Sequence, residues 1–252
     1  MEPILRAEHL TKIFPRKGQT DLIAVKDVSF QLFQGECLGL IGESGSGKST
    51  VANMLTRLTD VTEGTIWLEG KDITHCGARA LREQYRKIQM VFQSPMESFD
   101  PRRTLGDGVA ESMINSGMSR REAEKRAKEM LVHCGLSEEF FDKYPHEVSG
   151  GQCQRAAIAR AIAVDPVVII CDEATSALDV TIQKEILELL SQLKDKQNIA
   201  YLFICHDIAL VQQFCERILV MYQGEIVEEG APDDVVNHPK NEYTKRLIDS
   251  IL

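Results

Sequence analysis

The chain has 252 residues, with 29 Lys and Arg against 38 Asp and Glu, which gives a formal net charge of −9 at pH 7. This acidic balance argues against a phosphate-coating surface, so we expect no nucleic-acid partner. The longest uninterrupted apolar stretch, at 199–205, is far shorter than the roughly 20 residues that a membrane-spanning helix needs. The opening residues, MEPILRAEHL, contain no secretory signal pattern, so we expect a cytoplasmic protein.

The strand pattern changes character along the chain. Residues 4–34 alternate apolar and polar side chains around the polar stretch PRKGQTD, which predicts antiparallel strands joined by a loop. From CLGLIG (37–42) onward, short apolar runs alternate for the most part with helical segments, which predicts an α/β fold with a mainly parallel central sheet. The later runs are TIWLEG (65–70), IQMVFQ (88–93), VVIIC (167–171), AYLFIC (200–205) and RILVMYQG (217–224).

A helical insertion is predicted between the strands. Ser119 and Glu122 match a capping box, and Gly135 follows as a stop signal. The apolar face between them carries Ala123, Ala127, Met130, Leu131 and Cys134. We expect a core formed by 1–93 and 166–235, a helical subdomain over 94–165 and a short C-terminal helix over 236–252. The 7 cysteines include no CxxC pair, so we expect buried free thiols.

A phosphate-binding loop is predicted directly after the CLGLIG strand. Gly42, four further residues, Gly47, Lys48 and Ser49 match the P-loop pattern, and VANMLTRL follows with helical spacing. Backbone N–H groups of such a loop surround phosphate oxygens, the lysine reaches the outer phosphates, and the serine hydroxyl binds Mg²⁺. This strand–loop–helix context makes a chance match rare. We therefore expect a nucleoside triphosphate as ligand.

Other motifs are ambiguous when each is taken alone. VVIICDE ends an apolar strand in Asp172 and Glu173, which suits Mg²⁺ binding and activation of water, although acidic residues often simply follow strands. VSGGQ opens a helix, and Ser149 there could be an ordinary N-cap. Gln93 ends one predicted strand and His206 directly follows another, and each could be structural. The NKxD motif of a GTPase does not occur in the sequence.

In this order the motifs resemble those of the ATP-binding cassette (ABC) ATPases over nearly the whole chain. The resemblance implies a RecA-like core with an antiparallel β-subdomain, and it implies ATP and Mg²⁺ as cofactors. Walker A would be GESGSGKS at 42–49, Walker B would end at Asp172, and the D-loop would be SALD. The signature would be VSGGQ, where Val148 stands in place of the usual leucine.

The resemblance assigns roles residue by residue. Catalysis would involve Glu173, the switch histidine His206 and the Q-loop glutamine Gln93. Mg²⁺ would be bound by Ser49, Gln93 and Asp172. Nucleotide binding would involve Phe14, Gly42, Glu43, Ser44, Gly45, Ser46, Gly47, Lys48, Ser49, Thr50, Ser149, Gly150, Gly151, Gln152 and Asp179. Phe14 would stack on adenine, where the family usually has tyrosine; the alternative for Phe14 is a place in the core of the N-terminal sheet.

The resemblance also implies partners. One chain has one P-loop and one signature, so two cassettes would pair head to tail, as a homodimer or with a paralogue. FQSPMESFDPRRTLGDGVAES (92–112) and HPKNEYTKRL resemble segments of peptide and nickel importer ATPases. That subfamily implies two membrane permeases that contact 93–105, an extracytoplasmic solute-binding protein, and a peripheral position on the inner face of the membrane. The end of the chain at Leu252 favours the shorter nickel or dipeptide type.

Two other functions stay open at this point. One is an ABC ATPase that acts on DNA or ribosomes, although the sequence has no coiled-coil insertion, zinc module or second cassette. The other is a non-hydrolytic regulatory cassette in an asymmetric dimer. The presence of Lys48, Glu173 and His206 argues against the second alternative.

Overall fold

The computed structural model describes residues 2–18, 20–176 and 178–250, so Gln19 of the PRKGQTD loop, Ala177 of SALD and the chain ends lie outside the described residues. The strands are β1 (Leu5–Phe14), β2 (Leu22–Leu32), β3 (Cys37–Ile41), β4 (Glu63–Leu68), β5 (Lys71–Asp72), β6 (Ile88–Val91), β7 (Val168–Asp172), β8 (Ala200–Ile204), β9 (Arg217–Tyr222) and β10 (Glu225–Gly230). The α-helices are α1 (Lys48–Leu55), α2 (Ala78–Lys87), α3 (Leu105–Asn115), α4 (Arg120–His133), α5 (Gly150–Ile162), α6 (Val180–Gln197), α7 (Ile208–Phe214), α8 (Pro232–Asn237) and α9 (Glu242–Asp249). Short 3₁₀ helices at Glu138–Asp142 and Pro145–Glu147 lie between α4 and α5.

The central sheet has 6 strands in the order β10-β9-β3-β8-β7-β6. Strands β3 and β6 to β9 run parallel, and β10 pairs antiparallel with β9 at one edge. The N-terminal strands form a second, antiparallel sheet in the order β2-β1-β4-β5. The predicted α/β class, with a mainly parallel core sheet and an N-terminal antiparallel part, is confirmed.

Two apolar cores lie on opposite faces of the central sheet. Because successive strand residues point to opposite faces, the buried strand β3 contributes to both cores. Leu38 and Leu40 pack in the core that contains α1 and the antiparallel sheet. Cys37 and Ile41 pack in the other core, together with the buried faces of α3 to α6. The helix after the phosphate loop and the helix of the VSGGQ motif are therefore anchored in different layers.

The predicted helix after Ser119 is α4. The Ser119 side chain accepts from the Glu122 N–H, and the Glu122 carboxylate accepts from the Ser119 N–H, so the capping box is present. Ala123, Ala127 and Leu131 are buried on its inner face, and it contacts α3 and α5. At the other end of the chain, α9 lies within the predicted C-terminal helix. The boundaries of the core and of the helical subdomain stay predictions.

Some elements differ from the sequence prediction. Strand β6 ends at Val91, so Gln93 lies in the loop beyond the strand. Helices α2 and α8 and strand β10 were not predicted. The sequence of β10, EIVEEG, is rich in acidic residues, and its pairing with β9 makes it a strand. A two-residue turn, in which Gln223 and Gly224 have φ of 48° and 87°, joins the pair.

All seven cysteines are free, and all but the half-buried Cys76 are buried, as predicted. Burial raises the pKa of Cys134 to about 12, and it raises the pKa of Cys205 to about 11. The sulfur atoms of Cys37 and Cys215 lie 3.3 Å apart and share a thiol hydrogen bond. Over residues 2–18, 20–176 and 178–250, no helix combines the length and apolarity needed to cross a membrane.

Candidate nucleotide site

The phosphate loop emerges from the carboxyl end of β3 and runs tightly against neighbouring backbone. Gly42 and Gly47 have φ of 149° and 112°. A Cβ atom at Gly42 would lie 2.2 Å from the Met221 carbonyl oxygen, and one at Gly47 would lie 2.4 Å from the Ala24 carbonyl oxygen. Both positions therefore require glycine on grounds of backbone conformation and of space. The loop is held between the ends of β9 and β2.

Lys48 is the first residue of α1, and only 5% of it is exposed. Its Nζ donates to the carbonyl oxygens of Gly42 and Glu43, at 2.7 and 2.8 Å. Burial lowers the pKa of Lys48, and the nearby carboxylates of Glu173 and Asp172 oppose that shift. The ammonium group therefore spans the inside of the loop, with two acidic residues beside it.

Asp172 closes β7 beside the loop, where its Oδ1 accepts from the Ser49 hydroxyl at 3.2 Å. Burial raises the pKa of Asp172, the Ser49 hydrogen bond and Lys48 oppose the shift, and Glu173 adds to it. A hydroxyl oxygen and a carboxylate oxygen at one point form the hard oxygen donor set that Mg²⁺ prefers. The donor set at this site fits that ion.

Glu173 lies between the ends of two parallel strands. Its backbone adopts φ of 50°, which is uncommon outside glycine, and its N–H donates to the Ile204 carbonyl at 3.0 Å. The Nδ1 of His206 lies 3.9 Å from Glu173 Oε1. The carboxyl ends of parallel strands lie along the same side of a sheet. A carboxylate and an imidazole therefore lie beside the phosphate loop, at the carboxyl ends of the parallel strands.

Gln93 is linked to this edge through a third side chain. Its amide nitrogen donates to Ser176 Oγ at 3.3 Å, and Ser176 Oγ donates to the Glu173 carbonyl oxygen at 3.0 Å. The loop after β6 therefore connects with the turn that carries Glu173.

A cavity of about 510 Å³ opens over the phosphate loop. Ser44, Gly45, Gly47, Lys48, Ser49 and Thr50 line its floor, and Glu173 lines one side. Phe14 lines the cavity and is 38% exposed, so its alternative place in the core of the sheet was wrong.

Further cavity-lining residues were not identified from the sequence. They are Leu22, Ile23, Ala24, Gln223 and Gly224. Leu22, Ile23 and Ala24 begin β2 after the polar loop, whereas Gln223 and Gly224 form the turn between β9 and β10. The YQGE sequence of that turn was a signal for a hairpin, but no local pattern places it beside a loop near position 45.

The signature residues occupy a different surface. Ser149 accepts from the Gln152 N–H at 3.3 Å, and Gln152 Oε1 accepts from the Ser149 N–H at 2.9 Å, so they form a capping box at the start of α5. A Cβ atom at Gly151 would lie 2.7 Å from Ile182 Cγ2, so this helix start packs against the start of α6. Asp179 caps α6 by accepting from the Ile182 N–H at 3.0 Å. Among the residues that line the described cavity, none comes from 149–152 or from Asp179.

Comparison with known families decides the classification. The model of the family described as ABC transporter matches residues 25–176, which is more than half of the chain. The chain belongs to the ABC transporter family. Its fold and the order of its motifs are those of an ABC ATPase, so its nucleotide is ATP and its reaction is ATP hydrolysis.

Relatives of this ABC cassette include bacterial ATP-binding proteins named for transport or import. The Glutathione import ATP-binding protein GsiA of Pectobacterium atrosepticum is 44% identical over 99% of this chain, which spans only 41% of that relative. The Oligopeptide transport ATP-binding protein OppF of Salmonella typhimurium is 44% identical over 91% of this chain and 70% of its own length.

Solved structures of ABC cassettes are similar in fold. A dimer of the cassette MJ0796 in a post-hydrolysis state, bound to ADP and Pi, has a TM-score of 0.82 and 33% identity, covering 90% of this chain and 98% of that chain. CbiO1 from Clostridium perfringens, part of the transporter complex cbiONQ, has a TM-score of 0.82 and 27% identity, covering 100% of this chain and 96% of that chain.

Proposed function

We propose that this ABC cassette is the ATP-hydrolysing subunit of a peptide importer. The observation that carries the proposal is the convergence of Lys48, Ser49, Asp172, Glu173 and His206 at one sheet edge, beside a cavity of about 510 Å³. The size and chemistry of this cavity suit a nucleotide whose phosphates lie over the loop. The import function is carried over from the names of the relatives described above.

Each side chain at this edge has a role in the proposal. Lys48 exchanges its loop carbonyl partners for the outer phosphate oxygens of ATP, and Phe14 stacks on adenine at the mouth of the cavity. Glu173 orients a water molecule and accepts its proton, while His206, beside it, contacts the terminal phosphate.

Mg²⁺ completes the proposed site. Ser49 and Asp172 would hold it, with Gln93 reaching it or its water from the loop after β6. When bound, the ion neutralises charge on the phosphate oxygens. The Ser49 hydroxyl and the Asp172 carboxylate lie close enough to bind the same ion. Gln93, which is hydrogen-bonded to Ser176 and through it to the Glu173 carbonyl, would link the occupancy of the site to the surface loop after β6.

We propose a head-to-tail dimer, because the two half-sites lie on separate surfaces of the chain. The exposed helix start at 149–152 offers backbone N–H groups and the positive end of a helix dipole, which favour a phosphate. We propose that it faces ATP held by a second cassette, either an identical chain or a paralogue, with Asp179 near the contact. The dimeric MJ0796 structures support the pairing of two cassettes.

Permease docking is proposed at the surface around Gln93. Phe92 and Met96 flank this glutamine with exposed apolar side chains. A groove of about 580 Å³ lies between α2 and the end of α3, and its lining includes Arg82 and Arg86. We propose that two membrane permeases contact 93–105 on the inner face of the membrane and that an extracytoplasmic solute-binding protein supplies them.

The solute class is proposed from the relatives. Their names refer to oligopeptide transport and glutathione import, and glutathione is itself a tripeptide. This favours a peptide over nickel as the solute. An ATPase subunit does not contact the solute, so the permeases and the binding protein would set the exact specificity.

Substitution of Glu173 by glutamine tests the catalytic part of this proposal. We expect Glu173→Gln to bind ATP as well as the wild type does and to lower turnover by roughly 10²- to 10⁴-fold, because the general base is lost. Steady-state phosphate release and a nucleotide-binding titration measure the two effects. Glu138→Gln, an exposed change at a 3₁₀ helix, is the matched control and should hydrolyse ATP normally. Wild-type turnover in Glu173→Gln would remove Glu173 from the role.

Isolation of the assembled complex tests the transport part. The full chain, tagged and purified from gently solubilised membranes, should bring with it a second cassette and two permeases. Mass spectrometry identifies these partners. Recovery with ribosomes or DNA and without a permease would overturn the import proposal.

A further inference from the structure

The C-terminal helix α9 contacts the phosphate loop through one side chain. The hydroxyl oxygen of Tyr243 accepts a hydrogen bond from the backbone N–H of Glu43 at 3.0 Å. Tyr243 is only 4% exposed, and its ring stacks on Tyr222 with ring centroids 4.0 Å apart. A residue that is 200 positions away in sequence therefore forms a hydrogen bond with the backbone of the loop.

Glu43 is held on both of its backbone polar groups. Its carbonyl accepts from Lys48 Nζ at 2.8 Å, and its N–H donates to Tyr243. The first bond joins the loop to the residue that we propose contacts phosphate. The second joins the loop to a helix outside the nucleotide cavity. The orientation of the Glu43 backbone thus depends on the position of α9.

Helix α9 is itself fixed at its start and along its face. Asn241 caps it by accepting from the Tyr243 N–H at 2.8 Å, and the Glu228 carboxylate of β10 accepts from the N–H groups of Lys240 and Asn241 at 2.8 and 3.0 Å. Leu247 is buried in the same core as Tyr243. The tyrosine is therefore held against the loop by contacts at the start of α9 and along its buried face.

The protonation state of Tyr243 suits this contact. Burial raises the pKa of Tyr243, the Glu43 hydrogen bond opposes the shift, and the phenol stays neutral at physiological pH. A neutral hydroxyl oxygen accepts the hydrogen bond from the Glu43 N–H without placing a negative charge beside a loop that would hold phosphates.

We propose that Tyr243 is a positioning residue for the phosphate loop, and that nucleotide binding and the docking of α9 stabilise each other through the hydrogen bond between Glu43 and Tyr243. This inference rests on the proposed nucleotide site. A loop held in its binding geometry loses less conformational freedom when a ligand binds, which increases affinity. By linkage, a ligand that fixes the Glu43 backbone must also favour the docked position of α9.

Tyr243→Phe in the full chain tests the proposal, because it keeps the ring that stacks on Tyr222 and removes the hydroxyl alone. We expect the Kd for MgADP and the KM for MgATP to rise about three- to tenfold, the effect of one lost hydrogen bond, with kcat within about twofold of the wild type. Calorimetric titration and phosphate release measure these values. The matched control is Tyr201→Phe, since Tyr201 is fully buried and its hydroxyl makes no hydrogen bond within the described residues.

Hydrogen exchange separates positioning from simple stability. In the wild type, MgADP should slow amide exchange in the peptide that covers α9, and in Tyr243→Phe this protection should be lost while protection of the phosphate loop remains. The positioning role would be overturned, and the proposed nucleotide site would stand, if the wild type binds MgADP and Tyr243→Phe keeps both the wild-type Kd and the wild-type protection of α9. Failure of the wild type to bind MgADP would instead overturn the proposed nucleotide site.

Discussion

The phosphate loop and the signature motif are both helix starts in the same chain, but they are built in opposite ways. Lys48 is buried at the first and bonds to loop carbonyls, with Asp172 and Glu173 beside it. At the second, Ser149 and Gln152 satisfy each other in a capping box on the surface. The first region holds charged side chains that can pair with a ligand, whereas in the second the side chains of Ser149 and Gln152 are already paired with backbone N–H groups.

This difference underlies the proposal that only the phosphate loop binds nucleotide on its own. A binding pocket needs walls, and the phosphate loop has them in β2, in the turn after β9 and in Glu173. The signature helix has a favourable dipole but an open surface. In the proposed head-to-tail dimer, a second cassette would supply both the ligand and the walls.

The largest expected effect is at Lys48. Lys48→Ala should weaken ATP binding by about 10²-fold or more, because charge-assisted hydrogen bonds to phosphate are lost. Lys71→Ala, an exposed lysine in β5, is the control and should bind normally. Titration with a fluorescent ATP analogue measures both. Wild-type affinity in Lys48→Ala would show that the two regions do not differ as described.

A charge at the signature should affect assembly and leave single-chain binding intact. Gly150→Glu places a carboxylate where the nearest side-chain atom, Leu178 Cδ2, is 3.8 Å from the new Cβ, and an acidic residue at a helix start does not disturb folding. We expect MgADP affinity within about twofold of the wild type and turnover reduced roughly 10- to 100-fold.

Gly77→Glu is the matched control for this change. Gly77 also lies at a helix start with open space around it, so its substitution should leave turnover unchanged. ATP-driven dimerisation, measured by size-exclusion chromatography, should be lost in Gly150→Glu and kept in Gly77→Glu. Loss of MgADP affinity in Gly150→Glu would mean that the signature also serves its own chain's pocket.

The smallest effect concerns the cost of burying the ionised Asp172 carboxylate. The pKa of Asp172 is raised in the folded state, so ionisation of this carboxyl lowers the free energy of unfolding. This loss of stability is absent below the unfolded pKa near 3.8, grows as the pH rises, and is complete above the folded pKa. Asp172→Asn should therefore raise the melting temperature of the ligand-free chain at pH 7 by roughly 2 to 4 °C, and by less at pH 4.

The control for this effect lies in the other region. Asp179→Asn replaces an exposed helix cap by an equally good one, so its melting temperature should match the wild type at both pH values. Differential scanning calorimetry measures the four curves. An equal gain in Asp179→Asn would show that removing any acidic charge from this acidic chain is enough.

Much of the fold and part of the site followed from the sequence. The apolar run before Gly42 and the acids after VVIIC are local patterns, and they predicted a phosphate loop and a strand that ends in an acid pair. The structure adds that these two features lie together, with the Ser49 hydroxyl 3.2 Å from Asp172 Oδ1. The exposed signature followed from the family resemblance, since VSGGQ alone indicates only an N-cap.

The rest depended on contacts between distant segments. Gln223 and Gly224 line the cavity because β9 ends beside the phosphate loop, and a turn sequence carries no information about its neighbours. Tyr243 lies in a tail whose sequence indicated only a helix, and its partner is 200 residues away. Strand β10 was not predicted, because its acidic sequence forms a strand only through pairing.

The cysteine distribution has a practical consequence. Six thiols are buried and Cys76 alone is partly exposed, so a bulky maleimide should label the native chain at a single position. Unfolding exposes the other six, and labelling stoichiometry would then count unfolded molecules directly. The protein thus carries an intrinsic reporter of its folded population, and a fluorophore at Cys76 would sit in the loop that leads into α2.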